Sequence, residues 1–215
     1  RHARPMLPLR FFKRRGFLGA NLVTVGMYFT LAGNFFLLTI QLQRVLGYTA
    51  LGAGLALSPI TVILLVLSPL AGKWSGQWGQ KPLLIAGPLT GALGALLLSR
   101  VGVDADYWTR IFPGVVVYGA GIALSVAPLT SEALSSVEDV YSGVAAGVNN
   151  AVARSAQLLA VPRLPLAAGI SGIESVGGAE FATGFQAAER INAVLLVLTA
   201  IVAAVVLRPG QTTTD

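Results

Sequence analysis

The stretch Gly147–Val161, GVNNAVARSAQLLAV, is apolar enough for hydrocarbon yet holds two Asn, one Arg and one Gln. On a helix, Gly143, Gly147, Asn150, Arg154 and Gln157 follow at steps of four, three, four and three, which keeps them on one face. Asn149 lies beside that stripe, and Val144, Val148, Val152, Ser155 and Leu159 form the other face. Arg154 is eleven residues past Gly143, about 16 Å along a helix. A hydrocarbon core is about 30 Å thick, so the spacing puts the guanidinium near a bilayer midplane. An Arg there costs about 2.5–3.5 kcal/mol on insertion scales and faces a bundle interior or a watery cavity. Two readings stay open on these residues alone. Arg154 caps carbonyls or bridges helices, or it lines a transport path with Asn149, Asn150 and Gln157. Arg163 follows Pro162 near the end of the run, where its long side chain can snorkel to the interface.

The rest of the chain supports a bilayer as the solvent. Of 215 residues, 54% are hydrophobic and 11% charged, against about 25% charged in soluble domains; mean hydropathy is +0.73. Six runs approach the 20 or so apolar residues that a span needs: residues 17–43, 50–72, 83–99, 111–134, 143–170 and 191–207. The fold class that follows is all-α, an integral membrane six-helix bundle. A basic leader, 1–16, precedes it and a short tail, 208–215, follows. The chain begins with Arg, and it reads as a piece of a longer protein.

Composition also removes whole classes of chemistry. There is no Cys, and the one His is His2 in the leader. Disulfides, thiolate metal sites and a Ser–His pair are thereby excluded. No HExxH, GxSxG or paired intramembrane carboxylates occur. We therefore expect no catalytic residues, no metal and no cofactor. A net charge of +6 and a pI near 10.2 would suggest nucleic acid in a soluble protein. Here the basic residues flank apolar runs, as in cytoplasmic loops, so the expected partner is the lipid bilayer and not nucleic acid.

Orientation follows from the same residues. With the six basic residues of the leader on the cytoplasmic side, nine Lys and Arg face the cytoplasm and four face away. Both termini are then cytoplasmic in a multi-pass protein of the plasma membrane. Pro59, Pro69, Pro88, Pro113, Pro128 and Pro162 lie inside the runs. Membrane helices tolerate them where neighbours satisfy the freed carbonyls. GxxxG pairs at Gly87/Gly91 and Gly143/Gly147 permit close helix approach. A faint repeat relates YTALGAGL, Tyr48–Leu55, to YSGVAAGV, Tyr141–Val148. It implies two three-helix units of opposite orientation.

Several stretches carry a likeness to a known family: PLRFFKRRGFLGANLVT at 8–24, FFLLTIQLQRVLGYTALGAGLALSP at 35–59, APLTSEAL at 127–134 and SGVAAGVNNAVARSAQLLAV at 142–161. Over most of residues 7–170 the chain resembles the carboxy-terminal half of a drug:proton antiporter of the major facilitator superfamily, of the type with fourteen spans. AGKWSGQWGQKP, after the second run, is similar to that superfamily's cytoplasmic-loop signature, Gly-x-x-x-Asp-x-x-Gly-Arg-Lys. Gly72, Gly79 and Lys81 match, while Gly76 replaces the Asp and Gln80 the Arg. The resemblance implies half of a major facilitator fold, a gating loop at Gly72, Gly79 and Lys81, and export of amphiphilic or cationic small molecules driven by a proton gradient. It also implies a partner, the missing amino-terminal half, without which the chain is inactive. Proton coupling needs a membrane-embedded carboxylate, and none of the nine acids is expected to be deep. The alternative is a non-transporting membrane interaction subunit or a degenerate remnant. The topology has a direct check, because no native Cys interferes. Cysteine placed at Arg44 should label from the non-cytoplasmic side and cysteine at Gly76 from the cytoplasmic side; the reverse pattern overturns the orientation.

Overall fold

The computed structural model describes residues 15–135, 141–170 and 178–207. The basic leader up to residue 14 and the tail from 208 lie outside the described residues. The described residues form six long helices and no strand: α1 (Arg15–Ile40), α2 (Ala50–Trp78), α3 (Gln80–Leu98), α4 (Phe112–Ser135), α5 (Ser142–Ala167) and α6 (Gly178–Val206). A π-helical turn extends α1 over Gln41–Val45, and another leads into α4 over Tyr107–Ile111. Stretches that hold α1, α2, α3, α4 and α6 are each long and apolar enough to cross a membrane. In α5 the polar residues Asn149, Asn150, Arg154 and Gln157 dilute the hydropathy.

Local chemistry sets the helix ends. Thr49 caps α2, its hydroxyl accepting from Gly52 N–H at 3.0 Å, which satisfies one of the orphan donors of a first turn. Inside α2, Pro59 has no N–H to give the Leu55 carbonyl. The Ser58 hydroxyl donates to that oxygen at 2.7 Å instead. The Tyr107 hydroxyl donates to the next carbonyl, Ala56, at 3.0 Å, tying the turn before α4 to α2. The expected loop after the second run is absent: α2 continues to Trp78 and α3 begins at Gln80. Gly79 alone makes the break, at φ 80° and ψ 169°, a conformation essentially confined to glycine. The apolar run at 191–207 is likewise only the later part of its helix. α6 starts at Gly178 and carries Glu180, Glu189 and Arg190, charges that end a hydropathy run without ending a helix.

The packing shows the two units. α3 packs on α4 as α6 packs on α1, and α2 packs on α4 as α5 packs on α1. Exchanging α1–α3 with α4–α6 leaves this set of neighbours unchanged, and α3 against α6 closes the bundle. The second helix of each unit thus rests on the first helix of the other. The octapeptides Tyr48–Leu55 and Tyr141–Val148 open α2 and α5, which are equivalent under that exchange.

Glycine sets the distance across the seams. A Cβ on Gly121 of α4 would lie 2.6 Å from the Gly91 Cα and 2.7 Å from the Gly87 carbonyl oxygen of α3. On the equivalent seam, a Cβ on Gly26 of α1 would lie 3.0 Å from the Thr199 Cβ of α6. The Gly87/Gly91 pair is therefore a true contact, whereas Gly143 and Gly147 have nothing within 4 Å. Gly121→Ala should lower stability by about 1–3 kcal/mol through overpacking. Gly147→Ala should leave it unchanged or raise it by up to about 1 kcal/mol, the helix propensity gain. Reversible unfolding in mixed micelles measures both, and equal effects would remove the distinction between the two pairs.

Candidate functional site

α5 turns an alanine face to the bundle. Ala145, Ala153, Ala156, Ala160 and Leu164 are buried, and small side chains there let α5 lie close to α1. Asn149 points the same way. Its Nδ2 donates to the Thr24 hydroxyl at 2.7 Å and to Asn21 Oδ1 at 3.4 Å on α1. The Asn21 amide in turn donates to the Phe17 carbonyl at 2.8 Å.

The rest of the polar stripe lies elsewhere. Gly143, Gly147, Asn150 and Arg154 are exposed on the six-helix unit, and Gln157 is half-buried. Arg154 sits at the middle of α5, with Nη1 3.5 Å from Gln157 Oε1, at the limit of a hydrogen bond. Asn149 and Asn150 line a recess of about 190 Å³ between α1, α4 and α5, together with Tyr28 and Thr130. The structure therefore gathers Asn149 and Asn150 at one recess and leaves Arg154 and Gln157 beside it on an uncovered face. Gly72, Gly79 and Lys81 stand at the far end of α2 and the start of α3. Gly72 is exposed and helical, Gly79 is the one-residue break, and Lys81 is half-buried. These three form a helix junction, not a loop.

One polar cluster departs from the sequence expectation. Glu189 of α6 is fully buried, so the expectation that no acid lies deep is corrected. Asn34 of α1 donates from Nδ2 to Glu189 Oε2 at 3.0 Å, and Asn192 donates to Oε1 at 3.4 Å. All three side chains have no solvent exposure. The Oδ1 atoms of Asn34 and Asn192 and the Tyr118 hydroxyl are buried without a hydrogen-bond partner. Asn192 is the central residue of α6, and Glu189 lies three residues away, about 5 Å along the axis. Glu189 next to Arg190 resembles the charged rim of an apolar run, and that hides it in the sequence. The usable signal was periodicity. Phe185, Glu189, Asn192, Leu196, Thr199 and Ala203 recur at steps of four and three, so they share one helix face, and all six are buried.

A cleft of about 530 Å³ between α2 and the turn before α4 is lined by Tyr48, Leu55, Pro59, Tyr107, Trp108 and Phe112. Trp108 and Leu55 are exposed, as in the aromatic belts at membrane interfaces. Among the described residues no cluster of His, Asp or Glu is placed to hold a metal.

The family model described as the Major Facilitator Superfamily matches residues 1–161. The chain belongs to the major facilitator superfamily. Curated relatives include the uncharacterised transporter YhcA of Bacillus subtilis, 30% identical over 64% of this chain and 26% of that protein. The multidrug resistance protein Stp of Mycobacterium tuberculosis is 29% identical over 70% of this chain and 28% of its own length. The cephamycin export protein CmcT of Amycolatopsis lactamdurans is 32% identical over 69% and 31%. The chain thus spans roughly a quarter to a third of these relatives. Two solved transporter structures share the fold: a bacterial homologue of the human drug peptide transporters PepT1 and PepT2, with TM-score 0.72, and the tetrameric PepTSo2, with TM-score 0.74. Each is 17% identical; the superposed region covers 89% and 90% of this chain and 42% and 40% of those proteins. The chain is a multi-pass membrane protein of a transporter family, six helices forming one half of the major facilitator fold.

Asn149 and Arg154 differ in what they hold. Asn149→Ala should lower stability by about 0.6–1.7 kcal/mol, the range of interhelical hydrogen bonds in membranes. Arg154→Ala should change it by less than about 0.5 kcal/mol. Unfolding in micelles separates them, and a large loss at Arg154 would make that residue structural.

Proposed function

We propose that the chain is the carboxy-terminal six-helix half of a proton-driven secondary transporter that exports drugs or other amphiphilic small molecules from the cell through the plasma membrane, with both termini in the cytoplasm. The observation that carries this reading is Arg154. It is a permanent cation at the centre of α5, on a face that the other five helices leave uncovered. Against lipid it would cost several kcal/mol. Cover from a second six-helix half, enclosing a water-filled path, removes that cost. Asn150, the recess with Asn149 and the half-buried Gln157 extend the polar surface that such a path needs.

The fraction of each relative that is matched supports the same arrangement, since a chain spanning 26–31% of those proteins leaves room for a second half. The relatives named for multidrug resistance and cephamycin export support amphiphilic small molecules as the substrate class. No cofactor enters this scheme; the proton gradient is the energy source, and the chain alone is inactive. The alternative is a non-transporting interaction subunit or a remnant. In it, the Arg154 face meets lipid or another membrane protein and no wet path exists.

The readings separate on solvent access and on transport. In the intact transporter in proteoliposomes, Arg154→Cys should react with a membrane-impermeant maleimide, while cysteine at Val194, exposed near the centre of α6, should not. Arg154→Ala should cut efflux at least about tenfold, the equivalent of about 1.4 kcal/mol, with membrane abundance unchanged. No labelling at position 154 and unchanged efflux would sink the transport path.

A further inference from the structure

A second mid-membrane ionisable group has a different setting. Glu189 is enclosed between α6 and α1 and meets two amides in place of a cation. No Lys, Arg or His among the described residues pairs with it. Of the helices packed on α6, α3 has Lys81 as its titratable side chain, at its opposite end. α1 has Tyr28, which lines the α5 recess, and Arg15 at its far end. α5 has Arg154 and Arg163, both exposed, and the π turn after α1 has exposed Arg44. From α4, fully buried Tyr118 interacts electrostatically with Glu189.

A carboxylate buried without a counter-charge is costly, and the usual resolution is to neutralise it. The cluster can accommodate either form. With Glu189 ionised, the Asn34 and Asn192 Nδ2 groups donate to its two oxygens, as found. The Oδ1 atoms of both amides are then left buried without a donor. The oxygen and nitrogen of an amide occupy nearly the same shape. Turning either amide over presents its Oδ1 to the acid, which donates its O–H and satisfies one orphan. Each carboxyl oxygen therefore keeps one hydrogen bond whether or not the proton is bound, without any helix moving.

We propose that Glu189, held by Asn34 and Asn192, is a proton-binding site buried in the α1–α6 seam. It deepens the transporter reading by naming a residue that takes up and releases the proton. Because α1 opens one three-helix unit and α6 closes the other, the proton sits where the units meet. A seam opening that admits water lets the carboxylic acid ionise and release its proton to water; closing it again requires the acid form or the paired amides.

The chain in nanodiscs is titrated while infrared difference spectra follow the carbonyl stretch of a protonated carboxylic acid. Wild type and Glu180→Gln should share one titrating band that Glu189→Gln lacks, the glutamine keeping the side-chain shape. Asn34→Ser, a second variant should Glu189→Gln not fold, should move the midpoint of that band by about one pH unit, as expected for losing one hydrogen bond to a charged group. Identical titrations of wild type and Glu189→Gln overturn the site. A midpoint that follows sodium concentration at constant ionic strength overturns it in favour of a sodium site. In the intact transporter, Glu189→Gln should keep substrate exchange and lose its acceleration by an imposed proton gradient; retained acceleration also overturns the proposal. If the wild type moves no substrate while the band still depends on Glu189, the transporter reading fails and the proton site stands.

Discussion

Lipid tails are as apolar as leucine, so helices in a bilayer gain nothing by hiding apolar surface from one another. Their spacing is set by how closely backbones can touch. In this chain Gly121 lies on Gly87 and Gly91 so tightly that no Cβ fits between α3 and α4. On the equivalent seam Gly26 receives the Thr199 side chain. These two contacts hold the first helix of each three-helix unit against the third helix of the other. The middle helices, α2 and α5, are left at the margin, each resting on a helix of the opposite unit. That is why the polar stripe of α5 ends up on an outer face of the six-helix half while its alanine face is buried.

Hydroxyl and amide side chains play different parts in this bundle. Thr24, Thr39, Ser125 and Thr199 each donate to the carbonyl four residues back in their own helix. Such bonds satisfy the hydroxyl without calling on a neighbour. A Ser or Thr can therefore be buried anywhere a small group fits. Amides are longer and have more groups to satisfy. Here they reach across: Asn149 to Thr24, Asn34 to Glu189, and Gln41 and Gln186 to the backbone carbonyls of Gly102 and Val101 beyond α3. The last two bonds tie the turn after α3 to the π turn that extends α1 and to α6.

Much of this architecture is legible in the sequence because hydrocarbon imposes length and polarity on each span. The six apolar runs, the repeat that opens α2 and α5, and the helical phase of Arg154 all follow from spacing alone. What spacing does not contain is the neighbour. Gly87/Gly91 and Gly143/Gly147 share one pattern, yet the first pair meets another backbone and the second meets open space. The stripe through Arg154 lies on the exposed side of α5, and Asn149, one residue off that stripe, is the member that bonds to α1. Glu189 is concealed by a different feature. A hydropathy run ends at a charge whether or not the helix does, and α6 continues thirteen residues before Ile191. Gly79 was hidden in a stretch resembling a loop, because a single glycine in an unusual conformation can do the work of one.

Arg154 and Glu189 each lie near the middle of a helix and illustrate why one is covered and the other is not. Guanidinium keeps its charge at any pH a protein experiences, so it is tolerable at mid-membrane only where water or polar groups reach it. It can line a path but cannot be sealed in a dry seam without a partner. A carboxyl group can surrender its charge by taking a proton. It can therefore occupy a closed seam in one state and a hydrated one in another, provided that its neighbours can both donate and accept. Asn34 and Asn192 are neighbours of that kind; a Lys or Arg in their place would hold the group permanently ionised. The chemistry of the two side chains thus fits them to separate tasks, a fixed charge on the open face and a switchable one where the two three-helix units join.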